Sequence, residues 1–211
     1  MSEDLFQKEL DQATTRTDCG IYVFRNFLES DPESEWENFD NDEFPWDLKP
    51  RIFGERLDQH AYLYKRTDRE LQKSPALRRL EELCESLEDR FGGEISDVFC
   101  NRFVDPSHGI DWHKDTYGTH IFVLSLGSPG RIEFRHNKTN EIEEVLPEAG
   151  DLYFMPLRLN ETHKHRVSRV DEGPRISMVF FWSPPKYAKD FQITRGQRVR
   201  GFFTGVLEGW N

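Results

Sequence analysis

From residue 95 to residue 182 the chain alternates short apolar runs with turn-forming clusters. The runs are "DVFCNRFV", "GIDWH", "HIFVLSLG", "RIEFRH", "EIEEVL", "DLYFMP", "HKHRVSRV" and "RISMVFFW". Some alternate apolar and polar residues with a period of two, and others are continuously apolar; both patterns belong to strands that bury one face or two. Between them fall "DPSHG", "GSPG", "NKTN", "PEAG" and "DEGP", where Gly, Pro, Asn and Asp supply turn conformations. Eight strands at a spacing of roughly ten residues predict a two-sheet antiparallel barrel or sandwich of the jelly-roll type.

One segment follows a different period. In "SPALRRLEELCESLEDRFGG", residues 74–93, Leu77, Leu80, Leu83, Leu87 and Phe91 recur every three or four positions and form one apolar stripe. Ser74 suits the N-cap, Pro75 the first turn and Gly92 the end, so the segment predicts a helix lying against a sheet. The fold class expected is mainly β with flanking helices (α+β).

Charge divides the chain unevenly. Residues 1–50 hold 14 acidic and 4 basic side chains, whereas residues 51–211 hold 25 and 24. Of the net charge of -11, all but one unit therefore sits in the first fifty residues, read as an acidic extension, and "ESDPESEWENFDNDEFPWD" is expected to be solvated. Residues 186–211 carry five Lys/Arg against two acids and form a basic C-terminal segment expected to pack on the same domain. The 17 Phe and 5 Trp supply ample core material for one domain over residues 51–185. No run approaches the roughly 18–20 apolar residues of a membrane span, and the first ten residues do not form a secretory signal. Three cysteines without C-x-x-C spacing suit a reducing compartment, so the expected location is intracellular and soluble, in cytoplasm or nucleus.

Candidate chemistry begins at "GIDWHKD". On an extended strand His113 and Asp115 point to one face while Lys114 turns away. Fifty residues later "THKHRV" brings His163 and His165, again two apart, onto one face of a strand suited to lie opposite. Two histidines and one carboxylate leave open positions on a metal, the facial triad of non-heme iron(II) oxygenases; zinc is the leading alternative on ligands alone. Arg175 opens the apolar strand "RISMVFFW", where a guanidinium calls for a carboxylate partner, and a dicarboxylate cosubstrate would supply one.

These pieces in this order, from "RIFGERLDQHAYLY" through "NRFVDPSHGIDWHKD", "LSLGSPGRIEFRH", "GDLYFMP" and "THKHRV" to "PRISMVFF", resemble the AlkB-like 2-oxoglutarate and iron(II)-dependent dioxygenases over about residues 51–182. The resemblance implies a double-stranded β-helix (jelly-roll) core and the cofactors Fe(II), 2-oxoglutarate and O2. It implies that His113, Asp115 and His165 are the catalytic metal ligands, with His163 nearer the substrate. Arg175 would grip the far carboxylate of 2-oxoglutarate, and Asn101 would hydrogen-bond it. Two departures stand out: Phe103 replaces a tyrosine, and Phe181 replaces a second arginine. Ser177 or Tyr153 are the candidates to compensate.

The resemblance further implies an alkylated DNA or RNA base as substrate, flipped out against aromatic groups, and no membrane partner. Tyr62, Tyr64, Trp112 and Tyr117 are the aromatics expected near that pocket. Lys114, Arg131, Arg135, Lys138, Lys164 and Arg166 are expected to face phosphates. Two other readings compete: a hydroxylase or demethylase of a protein side chain or small molecule, and a catalytically silent metal-binding module.

Overall fold

The computed structural model describes residues 5–52, 55–66, 74–105, 107–115, 118–171 and 173–193. Thirteen strands occur among them: β1 (Thr15–Arg16), β2 (Tyr22–Phe24), β3 (Arg51–Ile52), β4 (Glu55–Arg56), β5 (His60–Lys65), β6 (Glu94–Phe103), β7 (Ile110–His113), β8 (His120–Gly127), β9 (Gly130–His136), β10 (Ile142–Val145), β11 (Leu152–Met155), β12 (His163–Arg169) and β13 (Arg175–Ser183). The helices are α1 (Leu5–Leu10), α2 (Pro32–Phe39), α3 (Pro75–Phe91) and α4 (Leu157–Thr162).

A seven-stranded sheet runs β1-β2-β11-β8-β13-β6-β5, and a four-stranded sheet runs β10-β9-β12-β7. Every pairing within them is antiparallel. This two-sheet arrangement is the jelly-roll architecture expected from the strand spacing, and all eight expected strands are present.

The larger sheet is buried on both faces, which explains why "HIFVLSLG" and "RISMVFFW" read as continuous apolar runs. Along β13, Ile176, Met178, Phe180 and Trp182 join a core shared with the helices, while Val179 and Phe181 face the second sheet. The helix-side core takes Leu77, Leu80, Leu83, Leu87 and Phe91 of α3, the apolar stripe read from the sequence. Ser74 caps this helix by accepting from Leu77 N at 3.1 Å, and Gly92 ends it with a positive φ of 68°. Among the described residues no helix is long and apolar enough to cross a membrane.

The reading of residues 1–50 as a solvated acidic extension is corrected by the structure. Phe6 and Leu10 of α1, Tyr22 and Phe24 of β2, and Phe39 of α2 are all buried in the helix-side core, and β2 pairs with β11 inside the larger sheet. The acidic count concealed both the apolar run "IYVF" and the ion pairs that use the charge. Glu35, itself buried, binds Arg79 of α3, Glu9 binds Arg90 at 3.0 Å, and Asp40 binds Arg102 of β6. Of the basic C-terminal segment, Ala188 and Phe191 are buried in the helix-side core, and residues 194–211 lie outside the described residues.

Candidate metal centre

Within the smaller sheet β7 pairs with β12, and side chains of both line the cavity between the two sheets. His165 lies opposite His113 and Val167 opposite Ile110, so three residues of β7 span two of β12. That extra residue is a β-bulge, and it re-aims the strand. Strict alternation would send Ile110 and His113 to opposite faces; with the bulge both line the inter-sheet cavity, together with Asp115 and His165.

The three potential ligands converge. Nε2 of His113 lies 3.5 Å and Nε2 of His165 3.6 Å from Oδ1 of Asp115, and the two rings are 4.1 Å apart between centroids. One ligand atom from each lies within 4.8 Å of the other two. Ligands about 2.1 Å from a shared ion sit roughly 3.0–3.4 Å from one another, so a small inward adjustment closes the set. His113 Nδ1 donates to the Asp111 carbonyl at 2.7 Å, which fixes the tautomer and leaves Nε2 for a metal. Asn160 of α4 clamps the loop after β7: its Oδ1 accepts from Asp115 N at 3.0 Å and its Nδ2 donates to Asp115 O at 2.7 Å.

The electrostatics are those of a cation site. Burial opposes ionisation of Asp115, yet the two imidazoles outweigh it and hold the carboxyl below its ordinary range. Burial pulls His165 down to about 4, a neutral ring able to ligate. Burial also pulls on His113, but Asp115 prevails and its pKa is raised. Arg175 is fully buried beside this set. Its Nη2 donates to Ser125 Oγ at 3.0 Å, its Cζ lies 5.5 Å from the Phe103 ring centroid, and it lines the same cavity as the three ligands.

With this geometry in view, similarity to known proteins carries weight. The profile of the 2OG-Fe(II) oxygenase superfamily matches residues 97–184, which contain all four of these side chains. Over that stretch the chain is similar to the 2OG-Fe(II) oxygenase superfamily, and the stretch is less than half of its length. An oxidoreductase of the 2OG-Fe(II) oxygenase family from Burkholderia pseudomallei shares the fold with a TM-score of 0.59, at 18% identity, over 84% of this chain and 90% of that one. An uncharacterized protein of Acanthamoeba polyphaga mimivirus is 29% identical over 105 residues, 46% of this chain, and the match spans 55% of that protein's length. Domains of this superfamily are of the dioxygenase class and use iron(II), 2-oxoglutarate and dioxygen.

The donor set fits that group of cofactors. Two imidazole nitrogens and one carboxylate leave half of an octahedral shell open, and a buried guanidinium suits a carboxylate at the far end of a chelated diacid. Gly130 makes room for it: a Cβ there would lie 2.5 Å from Arg175 Nε and 2.8 Å from its Cζ. Asn101 lines the cavity and accepts from Gln59 Nε2 at 3.1 Å; Ser177 lines it too. Phe103, at the position where the AlkB-like resemblance leads one to expect a tyrosine, is buried against Arg175. Tyr153 brings a hydroxyl-bearing ring to the same cavity; burial raises its pKa and the Arg175 charge opposes the rise.

Several residues expected at this site are elsewhere. Tyr62 and Tyr64 belong to the opposite, helix-covered face of β5, where Tyr64 donates to Glu81 Oε2 at 2.7 Å and Tyr62 packs on Phe44. Trp112, next to the inward-facing His113, faces out of the smaller sheet, with Arg135 and Arg166 over its ring at 4.3 and 4.8 Å. Tyr117 lies outside the described residues. His163 shares the inward row of β12 with His165 but sits one step further along, at the end of the sheet, against His136 and near Cys19 and Glu143. Gln59, Ser125, Gly130 and Asn160 were not anticipated. They act through other residues and carry no motif, so only spatial proximity reveals them.

Proposed function

We propose that the protein is an iron(II)- and 2-oxoglutarate-dependent dioxygenase that hydroxylates a C–H bond of a bound substrate. His113 Nε2, Asp115 and His165 Nε2 hold the iron, and Arg175 binds the distal carboxylate of 2-oxoglutarate with Ser125, Ser177, Asn101 and Tyr153 around it. The observation that carries this is the approach of both Nε2 atoms to one Asp115 oxygen, at 3.5 and 3.6 Å, in the cavity that the buried Arg175 also lines. When bound, the metal and its cosubstrate supply oxygen activation coupled to decarboxylation of 2-oxoglutarate to succinate. The chain's own part is positional. Asn160 and Asp111 fix the ligands, Arg175 orients the diacid, and Phe99, Ile121, Val123, Phe134 and Met155 keep water from the reacting centre.

The substrate we infer is an alkylated nucleic-acid base, in keeping with the AlkB-like order of motifs, and an N-methyl carbon hydroxylated there would leave as formaldehyde. Trp112 with Arg135 and Arg166 on the outer face of the smaller sheet supports a nucleic-acid surface close to His113. Part of that charge is already engaged, since Arg166 binds Glu133 and Arg131 lies 3.6 Å from Glu144, so the salt dependence of binding should be modest. The three free cysteines are in keeping with an intracellular location.

The test is turnover of the purified chain with iron(II), ascorbate and 2-oxoglutarate, with and without N-methylated oligonucleotides. Succinate with oligonucleotide-dependent formaldehyde is expected. Succinate alone would transfer the substrate to a protein side chain or small molecule, and no succinate would overturn the enzyme. Asp115→Ala should abolish succinate while leaving the far-ultraviolet β signature; retained turnover would refute the ligand assignment.

A further inference from the structure

Cys19, Glu143 and His163 come from three separate parts of the chain and meet at one end of the smaller sheet. Each offers a ligand atom within 4.8 Å of the other two, and all three are half-buried. Cys19 lies in the turn between β1 and β2, Glu143 on β10 and His163 at the start of β12, so sequence neighbourhood alone does not explain the meeting.

Each group is held toward the others. Cys19 N donates to Glu143 Oε2 at 3.1 Å, which fixes the carboxylate against the turn. Thr17 Oγ1 lies 3.1 Å from Cys19 Sγ. Thr162 Oγ1 lies 2.8 Å from His163 Nδ1, so Nδ1 is engaged and Nε2 is left for another partner. The same pattern, one ring nitrogen bonded and the other presented, orients metal-binding histidines in general.

We propose that Cys19, Glu143 and His163 form a second metal site that takes a borderline-soft divalent cation of the zinc type. A thiolate and a carboxylate cancel the charge of the dication, imidazole is the third donor zinc prefers, and a fourth tetrahedral position is open to water. Binding converts the Cys19 thiol to a metal-bound thiolate and releases its proton to solvent; no oxidant or reductant takes part. The site differs in kind from the His113, Asp115 and His165 set, whose all N and O donors suit iron(II). Its effect is mechanical: the ion ties the β1–β2 turn to β10 and β12, stapling the edge of the larger sheet to the smaller one.

The test is titration of the full-length His113→Ala/Asp115→Ala chain with cobalt(II), a spectroscopic stand-in for zinc. One tightly bound ion per chain with a thiolate-to-cobalt charge-transfer band is expected. Cys19→Ser in that background should remove the band, and Glu143→Gln or His163→Gln should weaken binding by about tenfold or more. In the same His113→Ala/Asp115→Ala background, zinc should raise the melting temperature, and Cys19→Ser should abolish that rise while melting with the metal-free parent. Absence of the band, or its persistence in Cys19→Ser, overturns the site. Because the first site is disabled, failure of the oxygenase reading would not disturb this result.

Discussion

The two faces of β13 use alternate residues of one strand for different ends. Ile176, Met178, Phe180 and Trp182 meet the helices in a core dense with aromatic contacts, where Trp182 touches Phe6, Phe122 and Phe154. Arg175 and Ser177 face the other sheet beside His113, Asp115 and His165. The helix-side face supplies stability; the inter-sheet face gives up apolar packing to hold charge where a metal and a diacid can be bound. Even histidine divides this way. His120 on the helix side is satisfied by backbone alone, its Nε2 donating to Phe191 O at 2.7 Å and its Nδ1 accepting from Leu157 N at 3.0 Å. His113 and His165 instead direct Nε2 at a carboxylate.

Substitutions should separate the two faces. Phe180→Ala empties a fully buried position and should cost about 3–5 kcal/mol in denaturant unfolding. In the protein that remains folded, 2-oxoglutarate affinity should stay unchanged. A comparable loss of affinity would mean that the faces are coupled.

His120 gives the helix side a pH dependence. Burial lowers its pKa from 6.5 to about 4. Between those values the unfolded chain binds the extra proton, so the contribution is complete above pH 6.5 and is lost as pH falls toward 4. It amounts to up to about 3 kcal/mol. Unfolding free energies of wild type and His120→Gln measured across that window should converge toward its acid end; parallel curves would contradict the assignment.

On the inner face, Arg175→Lys keeps the charge but loses the planar pair of donors. It should weaken 2-oxoglutarate binding by roughly 1.5–3 kcal/mol, about ten- to a hundredfold in KM, with iron affinity little changed. An unchanged KM would remove Arg175 from cosubstrate binding. The smallest effect expected is that of Tyr153→Phe. If this hydroxyl replaces the one absent at Phe103, its loss should raise the KM for 2-oxoglutarate by about 0.5–1.5 kcal/mol, a few-fold. No change would leave the departure at Phe103 uncompensated by this residue.

Strand and helix positions were legible because burial imposes periodicity, and the eight strands and α3 occur where that periodicity puts them. His113, Asp115, the His163/His165 pair and Arg175 were legible as residue types at a spacing, whereas the choice of His165 and the naming of Asn101 and Ser177 came only with the resemblance; His113, Asp115, His165, Arg175, Asn101 and Ser177 line one cavity. What escaped has local causes. Trp112 takes the outward face that alternation from His113 gives it, so its placement at the pocket was a misreading; what alternation misses is the bulge that brings Ile110 in beside His113. Tyr62 and Tyr64 lie on the helix-covered face of their strand, a choice that the sheet's two-sided burial hides. The acidity of residues 1–50 masked Phe6, Leu10, Tyr22, Phe24 and Phe39, since formal charge counts do not register ion pairs such as Glu35 with Arg79.

The central claim is that side chains from β7, the loop after it and β12 share one ion next to Arg175. A crystal structure of the full chain soaked anaerobically with manganese(II) and 2-oxoglutarate tests it most directly. The account predicts manganese bonded to His113 Nε2, Asp115 and His165 Nε2, with the distal carboxylate of 2-oxoglutarate on the Arg175 guanidinium. Manganese bound elsewhere, with the inter-sheet cavity empty of metal and diacid, would contradict it.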